Sequence, residues 1–470
     1  MTSVYLIGIC GTAMATLAAM LKTQGLRVRG SDAHAYPPMD SFLAGQGITP
    51  LLGYDADHLP ADIDVVVIGN AVSRGNPEVE AVLARRIRYV SLPEMVRDRF
   101  LWHARPIVVA GTHGKTTTTS MIASVLVEAG ADPSFLVGGI PRNFDASYRL
   151  GGGDLFVIEG DEYDSAFFDK TAKFLKYLPF VAIVGNLEFD HADIYPDLAA
   201  LRLAFRRLLG IVPANGRVLL GYDDAGARGL GDAAHCAVET FGIDSGADWR
   251  AVGLEHGQDR TRFDVVHRDK PVARVDLPLI GAFNVRNALA TIAAGAAVGV
   301  SPERAAAALG SFAGVRRRLE LRGIGRGVAV YDDFAHHPTA VRETVAAVQA
   351  ASAGGRVWAV FEPRSATSCR RVFQQAYAEA LAAADEVLVA PVFRSSLPAG
   401  ERLSETQLVA DLRAAGTAAR HLATMEAIGD TIVDEARSGD RVVLMSNGDF
   451  GGLRETLCRR LGASSMGADP

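Results

Sequence analysis

The sequence predicts an α/β protein of three domains, each organised around a mainly parallel sheet, and three observations lead there. A chain of 470 residues exceeds what one hydrophobic core usually organises. Short β-branched runs alternate with helical stretches, the texture of βαβ units. That texture restarts three times, at residues 4–9, 107–110 and 328–331.

The first series continues through strand candidates at 27–30 and 65–68, with a helix expected over 12–23. The second follows Arg105-Pro106 and includes strands at 155–158 and 180–184, with a helix over 120–129. Between about 215 and 280 the pattern shifts to short alternating strands, such as 263–266 and 272–275, expected to form an antiparallel part of the middle domain. The third series continues at 357–361, 386–390 and 441–445. Domains over 1–104, 105–316 and 317–470 follow from these restarts.

Composition excludes several function classes. Charged residues make up 22% and hydrophobic ones 49%, the balance of a soluble globular chain. A net charge of −6 argues against a broad grip on nucleic acid or an anionic membrane, so any phosphate site must be local. The four cysteines, Cys10, Cys236, Cys369 and Cys458, lie far apart, which suits a reducing cytoplasm rather than a disulfide framework or a cysteine zinc site. Met1-Thr2-Ser3 carries no basic side chain and Gly8-Ile9-Cys10-Gly11 interrupts the apolar run, so a strand, turn and helix are expected there rather than a signal peptide. No apolar stretch is long enough to span a bilayer.

The strongest motif follows the buried strand at 107–110: Gly111-Thr112-His113-Gly114-Lys115-Thr116-Thr117, with an apolar helix behind it. Glycines let backbone N–H groups turn toward phosphates, and a helix N-terminus adds positive potential. Lys115 is expected to reach the β- and γ-phosphates of ATP, and the Thr116 hydroxyl to ligate Mg²⁺. Val109 stands where the longer form of this motif has its first glycine.

Two carboxylate-bearing segments, Glu159-Gly160-Asp161-Glu162-Tyr163-Asp164 and Gly185-Asn186-Leu187-Glu188-Phe189-Asp190-His191, follow strand candidates of the same domain. Residues leaving the C-terminal ends of parallel strands share one sheet edge, where ligands bind. Phosphoryl transfer needs Mg²⁺, which prefers oxygen ligands. Glu159 is the candidate for that ion, and His191 for a second ion or for the transferring phosphate.

These motifs resemble the Mur ligases over nearly the whole chain. The family has a Rossmann-like UDP-sugar domain, a central ATPase domain and a C-terminal Rossmann-like domain. Gly111–Thr117 looks like its G-T-x-G-K-T-[TS] loop, Glu159 matches its Mg²⁺ glutamate, and Asn186 to His191 resembles its N-x-x-x-D-H segment. Gly281-Ala282-Phe283-Asn284-Val285-Arg286-Asn287 is similar to the adenine-side G-x-H-N-x-x-N motif, with Phe283 in place of histidine, so Asn284 and Asn287 carry over and a histidine contact does not. Tyr331-Asp332-Asp333-Phe334-Ala335-His336-His337-Pro338 matches the segment opening the third domain. Some relatives carry a carbamylated lysine after the D-H segment; Arg202, Arg206 and Arg207 are the basic residues here, so none is expected.

Within the family, the branch that accepts a peptide is closer than the branch that accepts alanine. Gly8-Ile9-Cys10-Gly11-Thr12-Ala13-Met14, Gly69-Asn70-Ala71-Val72-Ser73-Arg74-Gly75-Asn76-Pro77, the run from Glu159 to Lys170, and Glu362-Pro363-Arg364-Ser365 all follow the peptide branch. The resemblance implies an ATP-dependent amide ligase of peptidoglycan recycling. It would join L-Ala-γ-D-Glu-meso-diaminopimelate to UDP-N-acetylmuramate through an acyl phosphate, as a monomer or weak dimer. Lys115, Glu159, Asn186 and His191 carry the chemistry in that reading, with Arg318 and Asp332 beside ATP at the junction with the third domain. The sugar nucleotide falls to Gly8, Cys10, Gly11, Thr12, Asp32, Asn70 and Arg74, with Asn76 a further candidate. The peptide falls to Arg364, His336 and His337. No general base follows from the sequence.

Overall fold

The computed structural model describes residues 2–189, 194–393, 397, 398 and 400–463. Three sheets stand where the sequence restarts its βα texture. The first is wholly parallel, in the order Leu51–Leu52, Arg27–Asp32, Ser3–Ile7, Val65–Ile68, Tyr89–Ser91. Its central strand, Ser3–Ile7, is buried throughout because helices cover both faces. The chain then turns at Gly8, at φ +83°, into the helix Thr12–Thr23.

The middle sheet has ten strands. At its heart Arg105–Ala110 lies between Val181–Val184 and Leu155–Gly160, all parallel. That register brings the C-terminal ends of the three strands to one edge, pairing Val184 and Gly160 with Ala110. The expected antiparallel stretch is shorter than the sequence texture suggested. Arg217–Gly221 and Ala237–Gly242 extend the parallel sheet, and only Trp249–His256, Thr261–His267 and Lys270–Leu277 form an antiparallel meander. Alternation reports one wet face rather than strand direction, so it misleads on this point.

The helix after the phosphate loop runs over Lys115–Glu128, five residues earlier than expected at its start. Four threonines in a row lower helix propensity and hid that first turn. Burial compensates, since Thr116 to Leu126 are all buried, and Thr119 and Ser120 return their hydroxyls to the carbonyls of Lys115 and Thr116 at 2.8 and 2.7 Å.

The third sheet has the order Glu320–Gly325, Val328–Asp333, Arg441–Met445, Val357–Phe361, Glu386–Val389, Ala418–His421, antiparallel only at its first pair. Separate apolar clusters on its two faces make it a three-layer domain. Polar contacts join the units: Thr16 Oγ1 lies 3.2 Å from Ser147 Oγ, and Arg441 Nη1 donates to the Gln258 carbonyl at 3.1 Å. No helix among the described residues is long and apolar enough to cross a membrane.

Candidate active site

A cavity of ≈ 1100 Å³ opens where the three units meet. Thr12 and Thr16 line it from the first unit, Lys115, Thr116, Glu159 and Asn186 from the second, and Asp332 and His337 from the third.

The phosphate loop is built on two glycines at positive φ, Gly111 at φ +130° and Gly114 at φ +80°. A Cβ at Gly114 would lie 2.8 Å from Asn287 Oδ1, so the residue there must be glycine on both counts. Asn186 holds the loop from the neighbouring strand: its carbonyl accepts from Thr112 N at 3.2 Å and its Oδ1 from His113 N at 2.7 Å.

Lys115 is largely buried and donates to the Gly111 carbonyl at 2.7 Å and to Glu162 Oε2 at 3.0 Å. Burial works against its charge, yet Glu162, then Asp161 and Tyr163, more than offset this, and its pKa lies above the ordinary lysine value. Thr116 Oγ1 donates to Glu159 Oε2 at 3.0 Å and receives Arg318 Nη2 at 3.0 Å. Glu159 also accepts from Gly138 N at 2.5 Å. Burial, reinforced by Asp161, pushes the Glu159 carboxyl up to about 6 despite Gly138, Arg318 and Lys115.

On the far side, Asn284 Nδ2 donates to the Ile280 carbonyl at 2.8 Å, and Asn287 Nδ2 to Asn284 Oδ1 at 3.3 Å. Phe283 lines the cavity with them. Asp332 is buried against Arg454, whose Nε lies 2.7 Å from Oδ1 in an ion pair without hydrogen-bond geometry, and against Arg317 Nε at 3.6 Å. The guanidiniums of Arg317 and Arg318 both lie over Phe334, at 5.0 and 4.8 Å from its centroid. His336 Nδ1 is 3.0 Å from the Phe334 carbonyl, and His337 caps the helix Pro338–Ala351.

The residues read as sugar-nucleotide ligands are distributed unevenly. Thr12 lines the cavity, whereas Asp32 is engaged at the first glycine turn, accepting from Cys10 N at 2.8 Å. Asn70 is exposed past the strand Val65–Ile68. Arg74 forms a two-pronged pair with Glu80 at 2.9 and 3.0 Å on the surface. Asn76 caps the helix Pro77–Ala84 through Glu78 N and Val79 N. Arg364 stands apart from the cavity lining, with its guanidinium 3.8 Å from the Phe393 ring centroid and 3.6 Å from Glu362. His191 lies outside the described residues.

Sequence reasoning missed Glu162 and Glu188. Both stand in the acidic segments it singled out, but only the fold tells which carboxylate of a run turns inward. Glu188 sits between His113 Nε2 at 3.2 Å and His337 Nδ1 at 3.4 Å. Arg454 was also missed; nothing in the local sequence of its helix, Leu453–Arg460, marks it.

Three family models match: the Mur ligase family catalytic domain over residues 3–99, the Mur ligase middle domain over 109–295, and the Mur ligase glutamate ligase domain over 317–448. The UDP-N-acetylmuramate–L-alanyl-γ-D-glutamyl-meso-2,6-diaminoheptandioate ligase of Escherichia coli K12 is 43% identical over 97% of both chains. The chain belongs to the Mur ligase family. An enzyme of the same name from Haemophilus influenzae is 40% identical over 98% of this chain and 99% of its own. A UDP-N-acetylmuramate–L-alanine ligase of Paenarthrobacter aurescens is 36% identical over 98% and 97%. Among solved structures, a murein peptide ligase from Psychrobacter arcticus aligns at TM-score 0.71 and 36% identity, covering 98% of this chain and 99% of that one. This Mur ligase thus shares its whole three-domain α/β architecture with relatives, and like them it is an ATP-dependent amide-forming ligase.

The donor set around Thr116 fits Mg²⁺. The threonine hydroxyl and the Glu159 carboxylate are hard oxygen donors brought within 3.0 Å. A carboxyl that burial raises to about 6 lacks the countercharge a divalent cation supplies.

Proposed function

We propose that this chain joins L-alanyl-γ-D-glutamyl-meso-diaminopimelate to the carboxylate of UDP-N-acetylmuramate, with ATP cleaved to ADP and phosphate, in the cytoplasm. The observation that carries the reading is the near-full-length likeness to enzymes bearing that name, together with a phosphate loop whose lysine, threonine and facing glutamate share one cavity.

A carboxylate acylates poorly because its leaving oxygen is bad. A carboxylate oxygen of the sugar nucleotide attacks the γ-phosphorus, the bond from that phosphorus to the β–γ bridging oxygen breaks, and ADP leaves. The peptide amine then attacks the acyl carbon; the C–N bond forms, the C–O bond to phosphate breaks, and the amine gives up a proton. Little covalent chemistry is asked of the protein, so positioning and charge neutralisation carry the rate. The loop amides of Gly111–Thr117 cradle the phosphates, and Lys115 neutralises them from its seat beside Glu162. Mg²⁺, when held by Thr116 and Glu159, supplies charge compensation on the phosphate oxygens. Asn284 and Asn287 serve the adenine side, while Arg318, which reaches Thr116, and Asp332 stand beside ATP at the seam with the third domain. The first glycine turn, Gly8 to Thr12, faces the UDP pyrophosphate. Arg364, stacked on Phe393, and His336 and His337 receive the acceptor peptide.

Phosphate release with UDP-N-acetylmuramate and a panel of amines tests the reading. The tripeptide should support turnover and free L-alanine should not. Turnover with alanine alone assigns the chain to the alanine branch, and release with neither amine overturns the ligase reading.

A further inference from the structure

One cluster in the cleft can do more than the ligation scheme asks of it, since that scheme uses His337 only toward the acceptor peptide and His113 only through its backbone amide. His113 Nε2 and His337 Nδ1 approach the same oxygen, Glu188 Oε2, at 3.2 and 3.4 Å. The two rings are tilted with centroids 4.8 Å apart, and one donor atom from each of the three residues lies within 4.8 Å of the others. His337 Nδ1 also lies 3.4 Å from the N–H of Thr339, at the long limit of a hydrogen bond, so its lone pair is only weakly engaged there and can turn to a cation or a proton shared with Glu188.

We propose that His113, Glu188 and His337 form a site for a borderline transition-metal ion of the Zn²⁺ or Co²⁺ class, distinct from the Mg²⁺ position at Thr116 and Glu159. Metal–ligand bonds of about 2.0–2.2 Å place the donors of a tetrahedral ion roughly 3.4 Å apart, which the two approaches to Glu188 already match. Two imidazoles and one carboxylate select such an ion over Mg²⁺, which prefers an all-oxygen shell. Three protein ligands leave the fourth position open to water. Glu188 supplies the anionic oxygen donor of the set. The ligands come from two units: His113 from the phosphate loop and Glu188 from the adjoining strand end, His337 from the start of a third-domain helix. An ion here therefore ties the third domain to the phosphate loop. The site stands on its own coordination geometry and is independent of the identity of the acceptor amine.

The untagged full chain, free of nucleotide, is titrated with Co²⁺ and the visible d–d bands are followed, then displaced with Zn²⁺. One ion per chain with bands of a low-coordinate nitrogen-ligated centre is expected, unaffected by an excess of Mg²⁺. Losing a group that merely hydrogen-bonds a metal ligand already costs about 10–100-fold in affinity, so His337→Ala, His113→Ala and Glu188→Gln should each weaken binding by about 100-fold or more. If one variant melts at a lower temperature than the parent, the others decide. Absence of the bands from the parent chain, or bands that persist unchanged in the folded variants, overturns the site; a proton then fills the gap instead.

Discussion

Lys115 and Glu162 show how a single pair serves both the resting fold and the reaction. The buried ammonium leans on Glu162 at 3.0 Å, a carboxylate only 2% exposed. Removing one partner of such a pair leaves an uncompensated buried charge, which costs about 3–5 kcal/mol. Glu162→Ala should therefore melt well below the parent chain, and a triphosphate should narrow the gap because it offers Lys115 a new counterion. Thermal melts of both proteins with and without ATP and Mg²⁺ check this; an unchanged gap contradicts the pairing. Lys115→Ala leaves Glu162 unpaired and should also melt lower, but below its midpoint it should lose about 10³-fold or more in turnover through the missing charge at the transferring phosphate. A phosphate-release assay on a variant with normal circular dichroism decides. The sequence could bring Lys115, Thr116 and Glu159 together because a glycine-rich loop and the carboxylate ending the neighbouring parallel strand share one sheet edge. It could not name Glu162, because the run Glu159 to Asp164 holds four carboxylates and only side-chain direction separates them. Arg74 shows what the sequence leaves out: the residue that reads as a ligand in its motif also pairs with Glu80 at the surface.

At the scale of elements, strand positions were legible because buried parallel strands are short runs of β-branched residues, and Val65–Ile68, Val357–Phe361 and Arg441–Met445 fall where the sequence puts them. Strand direction and helix starts were less legible, for reasons of long-range pairing and of buried threonines that propensity alone penalises. The turn after Val328–Asp333 carries a further consequence. Asp333 is buried there and accepts Leu319 N at 2.5 Å and Ala335 N at 2.6 Å, clasping the strand end to the linker that enters the third domain. Burial outweighs Arg318 and these hydrogen bonds and raises its carboxyl to about 6 from 3.8. Between those values the folded state holds a proton that the unfolded chain has released, so stability from this group falls as pH rises from about 4 to about 6. The span corresponds to roughly 3 kcal/mol at most. Apparent melting midpoints across that range should fall more steeply for the parent than for Asp333→Asn. Parallel pH profiles count against a raised Asp333.

The whole molecule works only if its third domain meets the other two, because the cavity takes its walls from all three and Arg318 must reach across to Thr116 at 3.0 Å. Domain count was readable from length and the restarts of the βα pattern; the seam was not, since it is made of charged residues that look like solvated surface one at a time. Arg286 is such a residue. It follows Asn284 on the middle-domain helix Ala282–Ala297, and its guanidinium pairs with Glu343 on the third-domain helix Pro338–Ala351 while lying 3.8 Å from Asp223. Arg286→Glu puts like charges across the closing seam, at a cost of about 1–2 kcal/mol, or roughly 5–30-fold in an equilibrium. If closure assembles the site, that factor should appear in kcat/KM while each domain keeps its own melting behaviour. The double variant Arg286→Glu with Glu343→Arg restores the attraction across the seam, and kcat/KM should recover most of the loss, with Asp223 limiting full rescue by its repulsion of the new glutamate. Small-angle scattering adds an independent reading: the single variant should be more expanded than the parent with nucleotide bound, and the charge-swapped pair should contract again. A single variant with parental kcat/KM and parental dimensions removes this ion pair from the closing step.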